Sequence, residues 1–432
     1  MKSLKIKMKN FMDMLKADAK ELTKPDKPLT RWDYLLLLLA VVGAFLVFDA
    51  AGIIQTAGVS FGYLNRQFLN FYDYGKECGM TELIYMPIVY LTYAIWNLPL
   101  KLSFLVRYPM PEVPYYVLLW YKLLPVILYL ACSYLVYKIA MEIGMGHKKA
   151  KLCALAAFTM PVGFFLQFSY GQIMVMPLFF MLLGLWYYLK DRRWGFVISY
   201  ALAIAYQQYV LVLFLPLLLL KEKRLRRLCE NLLVSIVPFA LEYSLYWKNN
   251  AFLQNVKCYD MEADFAAGMD NGIFVIQYVV LIWILLLGWA YFTNIREKKE
   301  LISYALFFVG LTGVATLCLT DWKPEYFMLL VPVSALAAFL HRDIRIFLIL
   351  DMCWGVFLVL YMGVKNVMPD SLDMVASLYS ALMVAIAVFK HPAFLAERPD
   401  ELPSGYAGWM RTRFLCGAAL CLAPSLVAMV LG

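Results

Sequence analysis

Residues Tyr34–Ile54 read YLLLLLAVVGAFLVFDAAGII, and this stretch decides the fold class. Tyr34 through Phe48 carry no charge, and the 21 residues together would form a helix about 31 Å long. That matches the roughly 30 Å hydrocarbon core of a bilayer. Where no water satisfies backbone amides, such a run has to be helical. The same pattern recurs along the chain. Hydrophobic residues make up 63% of the 432, only 16% are charged, and mean hydropathy is +0.69. Soluble domains carry about a quarter charged residues, so this chain cannot cover itself for water. The expectation is an all-α polytopic membrane protein with about eleven transmembrane helices.

The net charge of +9 does not point to nucleic acid, because the basic residues sit in short loops between apolar runs. No continuous basic face is available to track phosphates. The nine cysteines lie mostly inside apolar runs without Cys-x-x-Cys spacing, so they read as small buried hydrophobes. Cys78 and Cys258 fall in segments placed outside the membrane, which leaves a disulfide between them open. No cleavable signal peptide is expected. Segment 1–32 carries Lys2, Lys5, Lys7, Lys9, Lys16 and Lys20, with Leu4, Met8, Phe11, Leu15 and Ala19 at helical spacing. It reads as a basic amphipathic helix on the inner face of the membrane, a disordered basic tail being the alternative.

Lysine and arginine in the loops set the sidedness of the remaining chain, residues 33–431, taken as one transmembrane domain. The N-terminus stays cytoplasmic, as do the loops around Lys148, Arg192, Arg296 and Arg342 and the stretch Lys390–Arg413. Crossings follow at Tyr116–Ala140, Ala150–Phe168, Ile173–Leu189, Leu232–Trp247 and Ile273–Asn294. Five more are drawn at Leu301–Leu319, Tyr326–Leu340, Ile344–Gly363, Met374–Phe389 and Phe414–Leu431. Two apolar stretches do not cross under this rule. Residues 52–114 become one long outer segment whose helices lie along the membrane, since Pro87, Pro99, Pro109, Pro111 and Pro114 oppose one straight helix. Residues 194–220 have basic residues at both ends and read as a re-entrant hairpin turning near Gln207 and Gln208, an ordinary span being the alternative. Residues 248–271 form a solvated, acidic outer loop.

On this map His147, His341 and His391 are all cytoplasmic, so carboxylates are left to do chemistry on the outer face. Asp49 lies at the outer end of the first span without a cation partner within a turn. An ionisable group there faces a wet cavity and suits a general base; an interfacial helix-end residue is the bland alternative. Arg66 precedes an aromatic and polar stretch, Gln67–Tyr74, whose Asp73 and Tyr74 suit a sugar surface as well as an interfacial aromatic belt. Tyr170-Gly171-Gln172 forms a short outer turn in which the glutamine can hydrogen-bond hydroxyls. Lys323, Glu325 and Tyr326 open a short span, recessed below the headgroups, where a lysine can neutralise a phosphate or simply snorkel.

At these residues the chain resembles the C-fold (GT-C) superfamily of integral-membrane glycosyltransferases, which use a polyprenyl-phosphate-linked sugar as donor. Phe48-Asp49 sits where that family places its catalytic acid. Met86-Pro87-Ile88-Val89-Tyr90 looks like its tyrosine- and proline-rich outer stretch, Tyr170-Gly171-Gln172 like its glycine–glutamine turn, and Lys323-Pro324-Glu325-Tyr326 like its late outer loop. The likeness is architectural over most of the chain. It departs where Met174 stands in place of an acid or amide, and where no second acid adjoins Asp49.

The resemblance implies inverting transfer of one sugar to a glycan, lipid or protein acceptor on the outer face of a plasma membrane. Asp49 would take the acceptor proton, a role that contributes about 10²–10⁴-fold. Lys323 or Arg66 would hold the departing phosphate, the arginine as a fork and the lysine as a point charge. Tyr170, Gln172, Asp73, Tyr74, Glu325 and Tyr326 would contact substrate. No cofactor is implied; the outer carboxylates leave room for a divalent metal, though no spacing demands one. A transporter or flippase of lipid-linked sugars, and a polysaccharide polymerase or ligase, are the competing classes. The hairpin at 194–220 is the one feature pointing toward transport.

Overall fold

The computed structural model describes residues 29–47, 51–79, 83–103, 113–165, 167, 173–254, 273–295, 298–318, 324–340, 345–364, 369–388 and 408–415. The amphipathic reading of 1–28 and the last drawn crossing beyond residue 415 lie outside them. The described residues are helical and contain no strand. In chain order the first helices are α1 (Arg31–Val47), α2 (Ala51–Val59), α3 (Phe61–Leu64), α4 (Phe71–Glu77), α5 (Pro87–Leu102) and α6 (Tyr115–Glu142). The middle of the chain forms α7 (His147–Phe158), α8 (Pro161–Phe165), α9 (Val175–Leu189), α10 (Arg193–Tyr206), α11 (Val210–Lys221), α12 (Leu225–Tyr246) and α13 (Asn250–Phe252). It closes with α14 (Ile273–Phe292), α15 (Lys298–Gly313), α16 (Pro324–Phe327), α17 (Val331–Leu340), α18 (Arg345–Val364), α19 (Pro369–Val388) and a helical stretch at 408–415, α20.

Among the described residues two helices, α6 with 28 residues and α12 with 22, are long and apolar enough by length and composition to cross a bilayer. Helices α14, α18 and α19 run unbroken for 20 residues each, while other apolar runs are broken, and the breaks have causes. The drawn crossing Ala150–Phe168 divides at Thr159–Met160, just before Pro161, whose ring excludes the residue ahead of it from the helical region. The run Tyr326–Leu340 is interrupted at 328–330 ahead of Pro332. The helix α15 ends in a π turn at Val314–Cys318. In α5, Pro87 takes the first helical position, where its missing N–H costs nothing.

The main core is one apolar cluster. Helix α9 lies against α6 and α10, α10 against α12, and α6 against α7; α11 meets α14 and α15, and α17 meets α7 and α19. Close approach of α9 and α10 depends on Gly184, where a Cβ would stand 2.5 Å from Cδ2 of Tyr200. A second, separate apolar cluster joins Tyr63, Phe71, Tyr72 and Tyr90 of the 51–103 segment to Tyr246, Ala251 and Phe252.

Helices α10 and α11 form a hairpin whose two ends meet. Lys221 at the end of α11 donates to the Tyr188 carbonyl at 2.8 Å and pairs with Asp191, just ahead of α10. Arg193, opening α10, pairs with Glu230 at 2.6 Å and donates to Asn231 at 2.8 Å. Phe214 of α11 lies against Phe196 and Tyr200 of α10. The chain turns at 207–209, where Gln207 adopts extended backbone (φ −151°, ψ 110°). The turn therefore falls at the two glutamines where opposed basic ends place it in the sequence.

Candidate functional site

The 51–103 segment folds into four helices instead of one because its glycines, prolines and polar residues interrupt each apolar run. Its aromatic residues then assemble the second cluster. Tyr63 stacks on Phe71 with centroids 4.2 Å apart, and Tyr72 meets Tyr90, Tyr246 and Phe252 edge-on. Edge-to-face contacts set the positive ring edge against a negative face. Burial, then the neighbouring Tyr246 and Glu242, push the Tyr63 phenol above its usual range, so it stays a neutral donor.

Three distant parts of the chain are tied together at the start of α5. Glu242, in the last turns of α12, lies near the backbone of Ile88 at the start of α5. The Thr92 hydroxyl donates back to the Ile88 carbonyl at 2.8 Å and is joined to the Tyr206 hydroxyl of the hairpin turn at 2.5 Å. The Tyr63 and Tyr246 hydroxyls are 2.8 Å apart, and Tyr246 donates to the Phe68 carbonyl. On the other flank of the turn, Tyr209 meets the ring of Tyr326 at 4.9 Å. Tyr206 also stacks on Phe180 at 5.5 Å. The two flanks of the hairpin turn thus meet α5 through Thr92 and α16 through Tyr326.

Of the site residues expected from sequence, Arg66, Asp73, Tyr74 and Tyr326 have described side chains. Arg66 sits at φ 67°, in the left-handed region that a side chain rarely adopts. Asp73 accepts the Ala251 N–H at 3.3 Å and so holds α13 against α4. Tyr74 is hydrogen-bonded to Asn65, which also takes Lys101 at 2.5 Å, so two cations flank this corner of the segment. Tyr326 joins the line above. Asp49, Tyr170, Gln172 and Lys323 lie outside the described residues, and of Glu325 only the backbone, in α16, is described. Cys78 is a free thiol, and Cys258 lies outside the described residues.

Sequence reading missed several polar groups. Lys122, only 2% exposed, reaches across from α6 to the Phe45 carbonyl in the last turn of α1, while the Tyr115 hydroxyl takes the Leu46 carbonyl at 2.6 Å. A cation therefore stands against the end of α1, where the sequence offers none locally. Gln167 is 1% exposed with neither amide atom hydrogen-bonded. Asp351 of α18 and Arg413 of α20 form an ion pair without exposed surface, and Arg413 also donates to the Thr159 hydroxyl at 3.0 Å. The signal for Lys122, Glu242 and Asp351 was present as an ionisable residue inside an apolar run. Only Asp49 was read that way. Among the described residues no three His, Cys, Asp or Glu side chains gather as a metal site.

No protein-family model, curated protein or solved structure matches this chain.

Proposed function

We propose that the chain is a polytopic plasma-membrane glycosyltransferase of the C-fold kind, with about eleven crossings and its N-terminus in the cytoplasm. It moves a sugar from a polyprenyl-phosphate donor to a glycan, lipid or protein acceptor on the outer face, with inversion. The observation that carries the reading is the meeting of the hairpin turn with the 51–103 segment, through the Thr92 and Tyr206 hydroxyls, and with Tyr326, through the ring of Tyr209. The segment 51–103 and Tyr326, which the sequence assigns to the outer face, both meet the turn of the 194–220 hairpin, and they carry hydroxyls and rings that suit sugars. The hairpin ends, with Arg193, Lys221 and Lys223 beside one another's elements, suit a cytoplasmic edge and a re-entrant turn.

In this reading Asp49 takes the acceptor proton, and Arg66 or Lys323 holds the phosphate as it leaves. Lys122 sits against the helix that ends just before Asp49 and makes that end electropositive. Gln172 and Tyr170 contact the sugar, as do Asp73, Tyr74, Glu325 and Tyr326. The donor's prenyl chain enters between helices from the bilayer. The test is transfer by the purified protein in proteoliposomes from a panel of radiolabelled polyprenyl-phosphate hexoses. Labelled product on the outward face supports the reading, and absence of product from every donor removes it.

The hairpin supports a second reading, a flippase of lipid-linked sugars, since broken elements at membrane depth serve transport. Translocation of the same lipids without transfer would favour it.

A further inference from the structure

We propose that Lys122 and Tyr115 of α6 are positioning residues for Asp49: by holding the end of α1, they set where the chain leaves that helix for the link to α2. The inference rests on the transferase reading, in which Asp49 takes the acceptor proton, and extends it to two residues that the resemblance does not assign.

The geometry lies at the last turn of α1. A helix leaves its final four carbonyls without partners inside it. Two of them, at Phe45 and Leu46, accept from α6, the first from the Lys122 ammonium and the second from the Tyr115 hydroxyl at 2.6 Å. Lys122 also stands over the Phe45 ring, 5.2 Å from its centroid. The grip matters because α1 exposes Leu38, Leu39, Val42 and Leu46, which leaves one side of it off the bundle. Beyond the link, α2 begins at Ala51 and is held in turn. Asn97 of α5 donates to the Ala57 carbonyl and to the Ser60 hydroxyl, both at 3.0 Å. Residues 48–50 therefore join two anchored helices, and Asp49 is the middle one.

A cap alone does not account for the charge. Tyr115 supplies a neutral donor to the same turn, whereas Lys122 is 2% exposed inside an apolar helix, where an ammonium is costly. The negative end of the α1 dipole offsets part of that cost. An anion close by accounts for the rest, and the sequence carries one acid between Asp33 and Asp73, which is Asp49. It follows Phe45 by four residues, at most roughly 14 Å of chain. The ammonium thus grips the helix end and complements the carboxylate that comes after it.

The experiment compares the parent with three variants. Lys122→Met keeps the unbranched shape and removes charge and donor together, Lys122→Arg restores both, and Tyr115→Phe removes the second bond only. Transfer from polyprenyl-phosphate hexoses is measured in proteoliposomes against donor and acceptor concentration, alongside thermal unfolding. The expected result for Lys122→Met is a kcat lowered about tenfold or more, with both KM values within about twofold, as for lost alignment. Lys122→Arg should return kcat to within about threefold of the parent, and Tyr115→Phe should lower it about threefold. A folded Lys122→Met with parental kcat would overturn the proposal, as would a raised KM at unchanged kcat, which marks a residue that binds substrate. If Lys122→Met does not fold, Tyr115→Phe decides: a lowered kcat at unchanged KM keeps the proposal, and parental kinetics overturn it. Should the parent transfer nothing, the transferase reading falls by itself, and hydrogen–deuterium exchange of the amides at 46–52 tests the grip separately. Exchange there about threefold or more faster in Lys122→Met, with residues 31–40 unchanged, keeps the grip; exchange equal to the parent's overturns it.

Discussion

Replacing Arg413 by methionine tests how the end of the chain is fastened to the bundle. Arg413 and Asp351 have no exposed side-chain surface, and Arg413 is also bonded to Thr159 at the end of α7. One residue pair therefore joins α20 to both α18 and α7. Arg413→Met leaves the Asp351 carboxylate buried without a counter-charge, which costs about 3–5 kcal/mol. Asp351→Leu strands the guanidinium and costs a similar ~3–5 kcal/mol. The pair is poorly supported beyond itself, because Nε of Arg413 and both Asp351 oxygens lack hydrogen-bond geometry to any partner. Desolvation is then weakly offset, so the double variant should lie within about 2 kcal/mol of the parent, or above it. The assay is thermal or SDS-induced unfolding of all four proteins in one detergent. A coupling energy above roughly 3 kcal/mol is expected. A double variant that loses the sum of the two single losses would refute the reasoning, because each group would then be acting through other contacts.

Three further outcomes are expected. Arg66 holds a left-handed backbone, so Arg66→Gly should raise stability by about 1 kcal/mol while raising the KM for the lipid-linked donor; loss of stability would show that its side chain serves packing. Gln167→Leu should also stabilise, by about 1–3 kcal/mol, because it removes a buried amide without hydrogen-bond partners among the described residues; a lower melting point in thermal unfolding would show that the amide is held. Asp33 lies ahead of the first drawn crossing and pairs with Arg411 at 3.0 Å. Its burial raises its pKa, but hydrogen bonds from Thr30 and Arg411 outweigh this and leave it lowered. A carboxylate with a depressed folded pKa adds stability above its unfolded value of about 3.9 and loses it as pH falls through the folded one. Melting points at falling pH should therefore drop below about pH 4, and Asp33→Asn should flatten that acid limb; an unchanged limb would remove Asp33 as its source.

How much of this was legible in the sequence depended on the length scale of the signal. Apolar runs announced helices, and basic residues at both ends of 194–220 announced a turn near Gln207, because charge at a run's ends is local information. The breaks before Pro161 and Pro332 were equally local, yet hydropathy averaged across them and drew single spans. The pairing of Lys122 with Phe45 and of Arg413 with Asp351 was not legible. Each joins residues far apart in the chain, and only tertiary packing decides which buried charge meets which backbone group. An ionisable residue in an apolar run marks itself as unusual, but its partner has no sequence signature. The aromatic segment at 67–74 was visible as a composition, while its union with Tyr246 and Phe252 came from the fold.

In the proposed mechanism a carboxylate just after the first span, Asp49, takes the acceptor proton as the sugar leaves its lipid-linked donor. The most direct measurement is transfer from radiolabelled polyprenyl-phosphate hexoses by the parent and by Asp49→Asn, both shown to be folded by thermal unfolding. The parent should transfer the sugar, and the variant should lose about 10²–10⁴-fold of that rate. Equal transfer by the two proteins would contradict that mechanism.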